Sequence, residues 1–369
     1  MKQLQVLCWA MNPVELRRVC LVPRMTGVGG MVSFQRRLAQ GLQSLGIQVA
    51  YDLDDDACDA VLVIGGTRHL AQLWRARKRG SLIVQRLDGM NWLHRRLRTG
   101  LTHYLRAEYG NLLLAIIRHR LADVIVYQSA FAQKWWERVH GIAPVPRRVV
   151  YNGVDLSYYT PDGRHARPRD RYRLLLVEGS LMGGYEIGLE VAVPLAERLS
   201  NELNNLSSCP NQDRYPVELM VVGRVADEVK TFWEQRSSIP IKWAGLVPAE
   251  QIPEMDRSAH LLYSADVNPA CPNAVIEALA CGLPVLAYDT GALPEMISGG
   301  AGRIVPYGGD PWRLDPPDLP PLVKAAREIL QNQDAYRHAA RLRAEQVFSL
   351  ERMVQGYLDA LTMSKGGVN

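Results

Sequence analysis

Apolar residues in this chain come in short runs, and between the runs they recur at every third or fourth position. The runs at Gln5–Trp9, Val19–Val22, Gln48–Tyr51, Ala60–Ile64, Ser81–Gln85 and Val124–Tyr127 read as strands. Val32–Leu45, Leu70–Lys78, Leu112–Leu121 and Ala130–His140 carry the helical period. Turn residues and charges then accumulate at Tyr151–Asp155, Thr160–Gly163 and the basic stretch Arg164–Arg173. After them the alternation restarts. Tyr172–Val177, Glu218–Val222, Ile241–Trp243, His260–Tyr263, Pro284–Ala287 and Gly302–Val305 predict strands. Ile187–Leu203, Ala226–Arg236, Ile252–Ser258, Ala274–Cys281, Leu322–Gln331, Asp334–Gln346 and Leu350–Met363 predict helices. Leu206–Asp213 and the proline-rich Gly308–Pro321 read as polar loops.

Strands alternating with helices imply βαβ units on a mostly parallel sheet, and a chain that does this twice implies two doubly wound α/β domains. The expected division is residues 1–152, then 153–349, with a closing helix in 350–369. Open sheets of this kind bind ligands at the carboxyl ends of their strands, so the cleft between the domains is the expected site.

A length of 369 residues suits two domains, and no run of 18 apolar residues is present to span a bilayer. Met1–Ala10 is short and weakly charged for a secretory signal and reads as a first strand. Six cysteines, at 8, 20, 58, 209, 271 and 281, form no CxxC pair and read as reduced thiols of a cytoplasmic protein. Charge is uneven: residues 1–150 hold 22 Lys and Arg against 10 Asp and Glu, while 151–369 hold 21 against 28. Either the first half faces something anionic, or it carries an Arg-rich solvated surface. The stretch Arg95–Arg120 mixes six arginines with Trp92, Leu101, Tyr104 and Leu112–Leu114. It can lie on an anionic membrane or serve as a helix with one core face. Nothing in the chain looks like a nucleic-acid-binding module.

The densest chemical signal is Asn268–Ile297. A Pro/Cys/Asn loop leads into a short helix, a glycine turn at Gly282, a buried strand, and a second turn from Gly291 to Pro294 and Glu295. The backbone N–H groups of Asn273, Ala274 and Val275 stand at a helix N-terminus, where an anion binds, with Asn273 as the expected cap. Glu277 is expected on the first turn of that helix, facing the same place. This segment, CPNAVIEALACGLPV, closely resembles the donor-binding signature of the family 4 glycosyltransferases, the group 1 glycosyl transferases with the GT-B fold. Glu277 to Val285 follows the second half of their two-Glu pattern. Pro269, eight residues before Glu277, stands where the family has its first carboxylate.

Three other stretches carry the same resemblance. Arg148–Asp155 resembles the linker between the family's domains, Trp243–Pro248 its lead-in to the donor motif, and Thr26–Gly30 the glycine loop of its first domain. The resemblance implies two Rossmann-like domains across a cleft, a last helix crossing back to the first domain, and metal-independent, retaining transfer of a sugar from a nucleoside-diphosphate sugar. It implies that Glu277 holds the ribose hydroxyls and that the amides of 273–275 hold the diphosphate. No cofactor or metal is called for, and no Asp-rich metal motif is present. The implied partners are a nucleotide sugar and a glycan or lipid-linked acceptor; peripheral contact with the inner face of an anionic membrane is the expectation that the basic first half, rather than the resemblance, leaves open.

Further candidates are Gly29 and Gly30, which let backbone approach a ligand, and Arg24 near them. Asp88 follows an apolar strand in the region where family members place a polar residue beside the reacting sugar, and can equally belong to an Asp-Gly turn. Asp88 and Gly30 are the candidates at the reacting centre. Glu178-Gly179-Ser180 ends the first strand of the second half. Many relatives have Arg at the place of Ser180 and Lys about six residues later; both are missing here, and Arg224 on a neighbouring strand is the expected substitute. These departures keep two alternatives open: a sugar-nucleotide-modifying, epimerase-like enzyme, and a non-enzymatic nucleotide-sugar-binding homologue.

Overall fold

The computed structural model describes residues 16–27, 29–54, 58–97, 100–182, 186–206 and 216–363. The strand expected at Gln5–Trp9, the thiols of Cys8 and Cys209, Val28 of the glycine loop, Gly183–Tyr185 and most of the 206–213 loop lie outside these residues.

The first half contains β1 (Arg18–Val22), α1 (Gly30–Ser44), β2 (Gln48–Ala50), β3 (Ala60–Ile64), α2 (Leu70–Lys78), β4 (Leu82–Leu87), α3 (Leu101–Ile116), β5 (Val124–Tyr127), α4 (Ala130–His140) and β6 (Arg147–Val149). They build a six-stranded sheet of order β2-β1-β3-β4-β5-β6 in which every pairing is parallel. The second half contains β7 (Tyr172–Leu181), α5 (Ile187–Leu206), β8 (Val217–Val225), α6 (Asp227–Glu234), β9 (Ile241–Gly245), α7 (Ile252–Arg257), β10 (Leu261–Tyr263), α8 (Asn273–Ala280), β11 (Val285–Tyr288), α9 (Leu293–Met296), β12 (Gly302–Val305), α10 (Leu319–Gln331), α11 (Gln333–Val347) and α12 (Leu350–Leu361). Its sheet, of order β12-β11-β10-β7-β8-β9, is also parallel throughout.

Helices on both faces explain why the central strands read as unbroken apolar runs: every residue of β3 and of β4 is buried. Each fully buried Val, Leu or Ile contributes about 1.5–3 kcal/mol. Two expectations are corrected. The strand drawn at Ser81–Gln85 runs on through Leu87, because Gln85 and Arg86 are buried polar residues with partners. Gln85 donates to the carbonyls of Gly65 and Leu114 at 3.0 and 3.1 Å, and Arg86 lies over the Phe34 ring at 3.8 Å. The helix drawn at Leu112–Leu121 starts at Leu101 and ends in a π-helical turn at Ile117–Leu121. Its first half carries exposed apolar residues and so shows no core stripe.

The chain crosses between the two sheets near 150–155 and again near 348–350, and the crossings pair. The Val154 amide donates to the Phe348 carbonyl, and the Leu350 amide donates to the Val154 carbonyl, both at 2.9 Å. Beyond this point α12 packs on the first domain, with Met353, Val354 and Tyr357 buried among Phe34, Leu38, Val84 and Val126.

Both sheets have a point where consecutive connections leave in opposite directions. In the first it lies between β1 and β3, in the second between β7 and β10. A crevice opens at the carboxyl ends of the strands at such a point. The loops that follow these strands carry most of the residues described next.

Candidate functional site

The chain leaves β10 at Tyr263 and reaches the cleft through a constrained loop. Asn268 adopts φ 56° in the left-handed region. The turn at Thr290–Ala292 grips this loop: the Ala292 amide donates to the Pro269 carbonyl at 2.8 Å, and a Cβ on Gly291 would fall 2.5 Å from the Pro269 backbone. Only glycine allows that approach. Pro269 itself brings no charge to the loop.

Helix α8 begins directly after Pro272. Pro272 occupies the cap and Asn273 is the first helical residue, so the expected cap role of Asn273 is corrected; no side chain caps this helix. Proline fixes the backbone just ahead of the helix, which starts one residue earlier than drawn. Glu277 therefore stands in the second turn, not the first. The N–H groups of Asn273, Ala274 and Val275 lie in the first turn, where intrahelical acceptors are missing. The Asn273 side chain accepts from Asn152 at 2.8 Å and donates to the Gly30 carbonyl at 3.3 Å. It thus ties the start of α8 to the start of α1. Gly29, at φ 130°, occupies the α1 cap, also without a side-chain cap.

Glu277 is 8% exposed and meets the first domain. Its Oε1 accepts from Arg37 of α1 at 2.6 Å, and Arg37 also donates to the Tyr159 hydroxyl at 3.0 Å. Burial pushes the Glu277 carboxyl above its ordinary range, and the Arg37 charge opposes that shift. Arg37 is a residue that sequence reading missed. It sits 240 positions away, in a helix that looks ordinary.

Asp88 follows β4 at the carboxyl edge of the first sheet. Burial pushes its carboxyl up, against the opposing charge of Arg86. The Trp136 indole donates to the Asp88 carbonyl at 2.6 Å and fixes the turn. Arg86 donates to Asn152 at 3.2 Å, so a continuous line of contacts runs from β4 through Arg86, Asn152 and Asn273 to Gly30. Arg24 lies apart from this line, exposed, over the Tyr51 ring.

On the second domain Ser180 and Arg224 are register partners on β7 and β8, and both are exposed, as is Gly179. Glu178 faces Asp266 across the switch point between β7 and β10, beside a 40 Å³ cavity also lined by Leu93 and Leu314. Burial, reinforced by the Asp266 charge, pushes the Glu178 carboxyl well above its ordinary range, and burial raises Asp266 as well. In its protonated form a carboxyl donates a hydrogen bond. Asp266 is a second residue that sequence reading missed.

Glu295, which the sequence placed in the second turn of the motif without a role, lies in the first turn of α9. Its carboxylate accepts from the Ala130 and Phe131 amides at the start of α4, at 3.1 and 2.9 Å, and from the Tyr151 hydroxyl at 2.8 Å. It occupies the anion position of α4 and fastens the second domain to the first. Among the described residues, no group of three or more His, Cys, Asp or Glu is placed to hold a metal ion.

Comparison with known proteins places this geometry in context. Residues 196–332 match the family model described as Glycosyl transferases group 1. The chain is 26% identical over 176 residues to D-inositol 3-phosphate glycosyltransferase of Corynebacterium jeikeium (strain K411), covering 44% of this chain and 40% of that protein. It is 25% identical over 251 residues to alpha-maltose-1-phosphate synthase of Mycobacterium tuberculosis, covering 64% and 62%. It thus spans less than two thirds of the length of either relative. Its fold superposes on the Anabaena protein HepE, solved in complex with UDP-glucose, with a TM-score of 0.64, 16% identity, and coverage of 93% of this chain and 99% of that one. Two parallel six-stranded sheets facing across a cleft are the GT-B arrangement, and within it the match to the group 1 glycosyl transferases falls on the half that contains Glu277.

Proposed function

We propose that this chain is a glycosyltransferase of the family 4 type. It moves a sugar from a nucleoside-diphosphate sugar to an acceptor hydroxyl, with retention at the anomeric carbon and without a metal ion, in glycan or cell-envelope polysaccharide synthesis. The observation that carries this reading is the meeting of α8 and α1 in the cleft: the uncapped start of α8 touches the Gly29–Gly30 turn through Asn273, and Glu277, one turn further on, reaches Arg37. In this reading the α8 amides hold the diphosphate. Glu277, paired with Arg37 in a buried place, accepts the ribose hydroxyls. Arg224 beside Ser180 offsets the charge of the leaving diphosphate, and Asp88 accepts a hydrogen bond from a hydroxyl at the reacting centre. Group transfer of this kind is chiefly positioning and electrostatic stabilisation.

The acceptor belongs to the first domain. Leu101, Leu105, Tyr109 and Leu112 are exposed on one face of α3, with the exposed Arg106 beside them. That combination supports peripheral contact with an anionic membrane surface at its cytoplasmic side. No helix among the described residues is long and apolar enough to cross a membrane.

The test is a thermal-shift panel of UDP-, GDP-, ADP- and TDP-sugars. One of them, present at 100 to 1,000 times its dissociation constant, should stabilise the protein by about 3–4 kcal/mol. Glu277→Gln should bind that donor about 10- to 100-fold more weakly, the loss of a charge-assisted hydrogen bond. No shift with any of the four, together with no release of sugar, sinks the proposal. The Glu178–Asp266 pair supports one second reading, acid/base modification of a sugar nucleotide. A donor converted or hydrolysed without any acceptor, and no transfer when acceptors are supplied, would favour that reading.

A further inference from the structure

A cavity of 500 Å³ opens beyond Gly89, with Met90, Asn91 and Trp92 in its wall. Three tryptophans line it. Trp92 follows β4 by a few residues, Trp135 sits on α4, and Trp312 reaches over from the second domain. Trp312 is the hub: its ring lies 5.0 Å from Trp92 and 4.8 Å from Trp135, both edge-on, and 6.1 Å from Phe131, stacked. The Arg96 guanidinium donates to the Trp312 carbonyl at 2.9 Å and holds the hub across the domain boundary. Trp135 packs so closely over Gly89 that a Cβ there would come within 2.8 Å of its ring. The aromatic wall therefore begins one residue from Asp88.

The rim is polar and already ordered. The Asn91 amide donates to the Asn111 side chain at 3.0 Å, and that side chain donates back to the Asn91 carbonyl at 2.8 Å. Glu108 accepts two bonds from Arg95, at 2.6 and 2.8 Å, and contacts His94 at 2.9 Å. These partners hold its carboxyl at about 2, well below the ordinary range, so it stays ionised.

Three classes of ligand can be set against this chemistry. A phosphate needs uncommitted cations, but Arg95 is paired with Glu108 and Arg96 with a carbonyl. An acyl chain would find Met90, Leu112, Ala115 and Val139 in the lining, but would also have to cover the ionised Arg95–Glu108 pair and the Asn91 and Asn111 amides at the rim. A pyranose ring has flat C–H faces that pack on indoles and a fringe of hydroxyls that bond to fixed amides and carboxylates, and it satisfies both parts. We propose that Trp92, Trp135 and Trp312 form a subsite that stacks on a sugar ring of the acceptor, so the acceptor is itself a carbohydrate at the end that enters the cleft. Its identification as an acceptor site rests on the glycosyl-transfer reading; carbohydrate binding does not. Because Trp312 comes from the second domain, the subsite is complete only when the two domains meet.

The experiment is calorimetric titration of the full chain with maltotriose, cellotriose and chitotriose, and separately with phosphatidylglycerol vesicles. Saturable binding of at least one trisaccharide is expected. Trp312→Ala should weaken it about tenfold or more, as for an aromatic anchor, with partial recovery in Trp312→Phe. Trp92→Ala, on the other domain, should weaken the same ligand and serves if Trp312→Ala does not fold. Heat from none of the trisaccharides, binding unchanged in the tryptophan variants, or binding of vesicles alone would each overturn the proposal. The nucleotide-sugar thermal shift of the same wild-type sample separates the two readings. Trisaccharide binding without a nucleotide response would refute the donor site and leave the carbohydrate subsite standing.

Discussion

Two carboxyl groups in the cleft, Glu277 buried and Glu178 partly buried, keep opposite company. Glu277 meets a guanidinium, whereas Glu178 meets another acid, Asp266. Removing a carboxylate from water favours its protonated form, and a second negative charge adds to the effect. The raised Glu178 value means that the folded state binds this proton more tightly than the unfolded chain. Its contribution to stability is therefore complete below the ordinary glutamate range and is lost as pH rises through the raised value. Glu178→Gln should remove that loss. Its melting temperature at pH 8 should exceed wild type by about 2–4 °C, the shift that about 1 kcal/mol makes in a domain of this size, and the gap should close at pH 5. Thermal melts across pH 5 to 8 give the answer, and an equal gap at both ends would show that Glu178 is not the titrating group. Residue-scale chemistry of this kind was only half legible. Glu277 and Asn273 stand in a local pattern of Pro, Asn and Gly spacing, so their places in the loop and helix could be read. Arg37 and Asp266 could not, and Glu295 was placed but given no role, because each acquires meaning only from a partner in another segment.

At the scale of elements, legibility followed burial. Strands covered on both faces, such as Ala60–Ile64 and Val124–Tyr127, show as plain apolar runs and were placed to the residue. The start of α3 was drawn late, at Leu112, and the stretch before it left open between a membrane-facing and a core-facing helix, because Leu101, Leu105, Tyr109 and Leu112 spend their apolar side chains on the surface. β6 was missed because an edge strand of sequence Arg-Arg-Val has no apolar run at all. Helix α12 is the instructive case, since it lies far along the chain yet completes the core of the first domain. Tyr357 is fully buried there, its ring 5.1 Å from Phe34 of α1. Tyr357→Ala should cost about 3–5 kcal/mol, the usual penalty for truncating a buried aromatic. Leu342→Ala on the exposed face of α11 should stay within about 0.5 kcal/mol. Urea unfolding of the two variants measures both, and a small loss at Tyr357 would mean that α12 only rests on the first domain.

For the whole molecule the question is what makes two domains behave as one. Besides the paired crossings at Val154 and Leu350, three carboxylates of the second domain reach helices of the first: Glu277 to Arg37 on α1, Glu250 at the surface to Arg36 on α1, and Glu295 to the amides of α4. The Arg37–Glu277 pair is buried on both sides, at 9% and 11% side-chain exposure. Removing one partner of such a pair leaves an uncompensated buried charge and costs about 3–5 kcal/mol, far more than a surface pair. Arg37→Met should therefore be strongly destabilising alone. Arg37→Met combined with Glu277→Gln should recover part of the loss, because the stranded charge is gone. The interdomain role makes a sharper claim. Wild-type protein should unfold in a single calorimetric transition, and Arg37→Met combined with Glu295→Ala should divide it in two, as each domain keeps its own core while the fastening between them is lost. Scanning calorimetry decides this, and a single transition in the double variant would assign the coupling to the crossings and α12 instead. If the transition divides, a nucleotide sugar should raise only the second domain's melting temperature, because α8, Ser180 and Arg224 all belong to it. The aromatic subsite should then be lost even though each of its tryptophans remains, since Trp312 would no longer be held against the wall that Trp92 and Trp135 present.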